Sequence, residues 1–157
     1  MASTTAQHMG NLPSGMGICT TIPDIFYVPE LIFGGLTWCL VASTKVQPAN
    51  PLGWVMFVSV FCFTVTFLWA IIFGCGAHRN SGAWAAADFA YHGIAAFFYL
   101  SSSVALAYVT LGMKDLATSS EGLRLYRIDI AAVVFSYVAT LLYFLHTIFS
   151  ALRWKSF

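Results

Sequence analysis

Residues 53–75 read GWVMFVSVFCFTVTFLWAIIFGC, and this stretch decides the architecture. It holds no Asp, Glu, Lys or Arg, and the charge-free interval around it reaches from Lys45 to Arg79. About 20 apolar residues cross a hydrocarbon core of about 30 Å, so the stretch reads as a transmembrane helix. Two further intervals, Asp88 to Lys114 and Asp129 to Arg153, are equally free of these charges. They predict spans at 88–111 and 129–152. A fourth span is expected at 24–44, although Asp24 and Glu30 lie in its first third. Both carboxylates would sit near one interface, where their cost is far below that at the bilayer centre.

Composition agrees. Hydrophobic residues make up 59% of the 157-residue chain and charged residues 8%, against about 25% charged in soluble domains. The expected fold is an all-α integral membrane bundle of four transmembrane helices. Its loops are short: Pro48, Asn50, Pro51 and Gly53 make the first turn, and Gly74, Gly76, Asn80, Ser81 and Gly82 the second. Lys114, Asp115, Ser119, Ser120, Glu121 and Gly122 make the third. Four of the five tryptophans (Trp38, Trp54, Trp84 and Trp154) fall near predicted interfaces, as an aromatic belt would.

A net charge of +1 on singly scattered basic residues argues against a nucleic-acid partner. The sequence holds no Cys/His metal spacing, Gly-rich phosphate loop or H-E-x-x-H motif. It also holds no nucleophile–base arrangement, so neither a metal centre nor enzyme activity is expected. Residues 1–22 have neither a basic n-region nor an apolar h-region, so no signal peptide is expected. Cys39 and Cys62 lie inside apolar runs and read as packing residues. Cys19 and Cys75 lie near membrane boundaries and are candidates for S-palmitoylation.

The ionisable residues inside the spans stand out. Asp24, Glu30, Asp88, His92 and His146 all map to one third of the membrane, on the side of the chain ends. Asp88 and His92 are four apart on one helix face and can pair. Asp88 and Asp129 also begin the third and fourth predicted spans, where a carboxylate suits a helix N-terminus. One reading is a structural network in which a histidine satisfies Glu30. The other is a small proton or cation channel or transporter built on Glu30, Asp88, His92 and His146. The other two-thirds of the bundle offers almost nothing ionisable, which favours the network. Small residues suited to close helix contact recur as Ala132, Ser136 and Thr140, as Ser101 and Ala105, and as Gly34 and Gly35. They predict packing within the bundle or self-association into a homo-oligomer.

Several motifs resemble the myelin and lymphocyte (MAL) proteolipid family of MARVEL-domain tetraspans. They are LPSG at 12–15, TTIPD at 20–24, ELIFGGLTWCLVAS at 30–43, GWVMFVSVFCF at 53–63, DFAYH at 88–92, IAAVVFSYVATLLY at 130–143 and RWKS at 153–156. The resemblance implies a cytoplasmic tail at 1–17 and a MARVEL-type four-helix domain at 18–155. It implies a membrane-organising proteolipid of cholesterol- and glycosphingolipid-rich raft membrane, acting in vesicle trafficking, apical sorting, and myelin and T-cell membrane organisation. Bound cholesterol or glycosphingolipid and cargo membrane proteins are the partners it implies. It further implies residence in apical plasma membrane, trans-Golgi and endosomal vesicles, with both termini cytoplasmic. Lysine and arginine counts do not decide that orientation: three (Arg79, Arg153, Lys155) lie on the side of the termini and four (Lys45, Lys114, Arg124, Arg127) opposite. The resemblance also implies a sorting role for Arg153, Trp154, Lys155 and Ser156.

Overall fold

A computed structural model describes residues 24–46 and 49–157, together with residues 15, 17 and 20. Four helices run antiparallel in chain order: α1 Tyr27–Ser43, α2 Ala49–Gly74, α3 Gly82–Met113 and α4 Ser120–Lys155. A 3-10 turn at Asp24–Phe26 leads into α1. Each helix packs against its two neighbours around a ring, α4 closing on α1. All four are long and apolar enough to cross a membrane.

The buried positions explain the packing. On α1 they are Tyr27, Glu30, Gly34, Thr37 and Val41. On α4 they are Asp129, Ala132, Ser136, Ala139, Tyr143, His146, Ser150 and Arg153. The steps alternate three and four, and α3 follows the same rule from Ala85 through Asp88, His92, Ala95, Tyr99, Ser102 and Leu106 to Val109. This period of about 3.5 keeps one seam of each helix turned inward, as in left-handed helix packing. At the seam, Gly34 makes room for Tyr99, whose hydroxyl would stand 3.0 Å from a Cβ there. Gly35 lies under Phe63 in the same way, at 3.3 Å. Ala132 and Ser136 are buried on α4, and Thr140 meets Ser103 of α3 across 3.1 Å. Ser101 is exposed and accepts a hydrogen bond from Trp54 Nε1 at 3.0 Å, while Ala105 packs against the buried cluster that includes Val41, Leu52, Val55 and Ala132. Ser101 thus serves the contact with α2.

The surface is inverted relative to a soluble protein. Phe97 and Tyr108 are each 75% exposed and Leu111 71%, whereas Asp24, Glu30, Asp88, Asp129, His92 and His146 are all 0% exposed. Only an apolar surrounding makes this arrangement favourable.

α1 lies within its predicted span, whereas α2, α3 and α4 start ahead of theirs, because charge-free intervals locate the apolar core and miss the caps. Ser81 and Ser119 cap α3 and α4 by accepting hydrogen bonds from the backbone N–H groups of Ala83 and Gly122. The helices thus begin six and nine residues ahead of Asp88 and Asp129. These carboxylates lie well inside their helices, beyond the first turn where the helix dipole acts. Glu121 and Gly122, read as loop, belong to the first turn of α4. Gly53, read as turn, lies inside α2, whose regular part follows the extended Asn50. Pro48 lies outside the described residues. Gly76, at φ +71°, ends α2: its N–H donates to Phe73 and that of Ala77 to Ile72.

Candidate functional site

The seams of α1, α3 and α4 converge at the end of the bundle that carries the last turn of α4. Glu30 Oε1 lies 2.8 Å from His146 Nδ1, and Glu30 Oε2 lies 3.6 Å from His92 Nε2. The two imidazoles stack with centroids 3.5 Å apart. His92 Nδ1 sits 2.8 Å from the Asp88 carbonyl oxygen and 3.2 Å from its carboxylate. Asp88 also accepts from the Tyr27 hydroxyl at 2.8 Å, from the Ser150 hydroxyl and from Arg153 Nη2 at 2.8 Å. Arg153 Nη1 donates to Asp24 at 2.6 Å. Thus Asp24, Glu30, Asp88, His92 and His146 form one connected cluster. Phe73 covers it, its ring centroid 5.5 Å from the Arg153 guanidinium carbon.

Three members escaped the sequence reading: Tyr27, Ser150 and the inward side of Arg153. Arg153, grouped with the tail by its place in RWKS, is 1% exposed and holds two internal ion pairs. The signal that could have found it is spacing. Arg153 lies seven residues after His146 and three after Ser150, in register with the α4 seam. Trp154 is half-exposed and stacks on Phe89 at 5.8 Å. Lys155 and Ser156 are exposed.

Of the cysteines, Cys62 is buried, Cys39 and Cys75 are exposed, and Cys19 lies outside the described residues. Most of the tail at 1–17 lies outside them too. Asp129 is buried on the α4 seam, and neither of its oxygens has a hydrogen-bond partner among the described residues. It is 17 residues before His146, about 25 Å along the helix, and stands apart from the cluster. Between them lies an apolar layer with a hydroxyl knot, Thr66 to Tyr91 at 2.8 Å and to Tyr143 at 2.6 Å.

The MARVEL membrane-associating domain matches residues 18–149. The chain belongs to the MARVEL family. Within that family it is 51% identical to the human myelin and lymphocyte protein and 49% identical to the dog protein of that name, over 99% of both chains in each pair. It is 30% identical to zebrafish plasmolipin, over 89% of this chain and 76% of plasmolipin. No solved structure matches it. The MARVEL match takes in Asp24, Glu30, Asp88, His92 and His146 and stops short of Arg153. The chain is thus a multi-pass membrane proteolipid, of a class not known for catalysis.

Proposed function

We propose that this MARVEL protein organises cholesterol- and glycosphingolipid-rich membrane and gathers cargo membrane proteins into vesicles bound for apical and similar ordered domains. One observation carries the reading. Asp24, Glu30, Asp88, Asp129 and Arg153 are sealed within the bundle while large apolar side chains cover its outside, so the working surface is the face turned to lipid. An apolar groove of about 430 Å³ between α3 and α4, lined by Phe97, Leu100, Leu141 and Phe144, supports a seat for a sterol or sphingolipid chain. The spans at 88–111 and 129–152 are each about 24 residues or about 36 Å long, a length that permits either tilt or a thicker membrane. The relatives named for myelin and lymphocytes support a role in those membranes. Both termini are taken as cytoplasmic. The exposed Trp154, Lys155 and Ser156 are the part of the ending that sorting machinery could read, and Cys75 remains a palmitoylation candidate. Detergent-resistant fractionation with lipid mass spectrometry of the purified protein tests the reading. Enrichment of cholesterol and glycosphingolipid over bulk membrane is expected, and carry-over in bulk proportions would remove it.

The buried carboxylate–histidine cluster favours one second reading, a small proton or cation channel. Conductance in liposomes that is lost in Glu30→Gln would establish it.

A further inference from the structure

We propose that Glu30, His92 and His146 bind a divalent metal ion of the zinc class within the membrane-spanning bundle. The three residues come from α1, α3 and α4, which is why no spacing in the sequence announces them. One ligand atom from each lies within 4.8 Å of the other two, and all three side chains are fully buried. Bonds of about 2.0–2.1 Å to a tetrahedral ion hold ligand atoms roughly 3.4 Å apart, so closing the site requires the ligand atoms to draw together and the two stacked imidazoles to turn toward a common point.

The hydrogen bonds leave a gap that a cation fills. His92 Nδ1 donates to the Asp88 carbonyl, so a neutral ring carries its lone pair on Nε2. That lone pair faces Glu30 Oε2 at 3.6 Å, and neither atom has a hydrogen-bond partner among the described residues. Two acceptors turned toward each other in a dry site repel unless a positive charge lies between them. His146 has the matching polarity: Nδ1 faces Glu30, and Nε2 lies 3.6 Å from Asp88 Oδ2. With an ion on Nδ1, the opposite N–H is turned toward the Asp88 carboxylate, with which it has no hydrogen bond among the described residues until the two close from 3.6 Å.

Charge balance points the same way. With both imidazoles neutral, Asp24, Glu30 and Asp88 bring three negative charges to the cluster and Arg153 one positive, leaving two uncompensated. A single divalent ion cancels them. Two protons would also do so, but they would set two cationic rings face to face at 3.5 Å. Two histidines and a carboxylate form a donor set that suits zinc. The neighbouring group of Asp24, Asp88 and His146 is the poorer site, because Arg153 already holds both aspartates.

The test uses the full chain, tag-free and in detergent, stripped with a chelator and titrated with Zn²⁺ and with Co²⁺ as a spectroscopic probe. One ion per chain is expected, with intense visible Co²⁺ absorption of four-coordinate type and a higher melting temperature. Affinity should fall about ten-fold or more in Glu30→Gln and His92→Ala and stay unchanged in Asp129→Asn, a buried carboxylate outside the site. A folded wild-type chain that takes up no Co²⁺, or an affinity equal in the ligand variants, overturns the proposal. Should those variants fail to fold, the wild-type stoichiometry and spectrum decide alone.

Discussion

Arg153 and Asp24 lie 129 residues apart and are joined by a 2.6 Å ion pair closed to the surroundings. The pair ties the last turn of α4 to the turn that leads into α1. Because Arg153 also reaches Asp88 on α3 at 2.8 Å, one guanidinium fastens three elements at one end of the bundle. The planar fork of arginine, with donors on both terminal nitrogens, is what permits this.

Removing that guanidinium should therefore be costly. Arg153→Ala leaves two carboxylates buried without their cation, and breaking a buried pair costs about 3–5 kcal/mol. Arg153→Lys should fall between Ala and wild type, since one ammonium cannot serve both carboxylates in the same geometry. Lys155→Ala, at an exposed site, should stay within about 0.5 kcal/mol of wild type. Thermal unfolding in detergent ranks the three, and equal melting for Arg153→Ala and Lys155→Ala would rule out the clamp.

Sorting must then be tested at residues that the fold does not need. Trp154→Ala and Lys155→Ala together should leave a folded bundle that accumulates in internal membranes. Microscopy of the tagged protein reads this directly, and normal delivery would show that Trp154 and Lys155 carry no address.

Tyr27 gives a milder probe of the same cluster. Tyr27→Phe keeps the ring between Phe73 and the histidines and removes one donor from Asp88. A hydrogen bond to a charged group contributes about 1.5–3 kcal/mol. A loss of stability in that range is expected, and no shift in melting would mean that Asp88 does not depend on Tyr27.

Much of the fold was legible in charge-free intervals, because lipid forbids unpaired charge and the four apolar stretches had nowhere else to go. Helix ends were less legible. The reading placed them at Asp88 and Asp129, but the caps are Ser81 and Ser119, and the helices pass through both aspartates. The cluster was legible as a set of costly residues, whereas its wiring was not. Arg153 looked like a flank because it follows a long apolar run. Its inward course depends on the α4 seam, in register with His146 and Ser150, which emerges only when the whole helix is read at a period of about 3.5.

Gly122 marks where the third connection closes. A Cβ there would stand 2.5 Å from the Leu116 carbonyl oxygen, a backbone atom with little freedom to yield. Gly122→Ala should cost about 1–3 kcal/mol through this clash. Gly53→Ala, where a Cβ meets nothing within 4 Å, should be tolerated. Paired melting curves decide the matter, and equal curves would contradict the close approach.

A bundle whose lipid-facing side selects ordered membrane should carry that preference into bilayers taken from cells. The direct measurement is partition of the fluorescently labelled protein in phase-separated giant vesicles drawn from plasma membrane. The account predicts enrichment in the ordered phase, reduced when Phe97, Leu100, Leu141 and Phe144 of the α3–α4 groove are replaced by alanine. Exclusion of the wild-type protein from the ordered phase would contradict it.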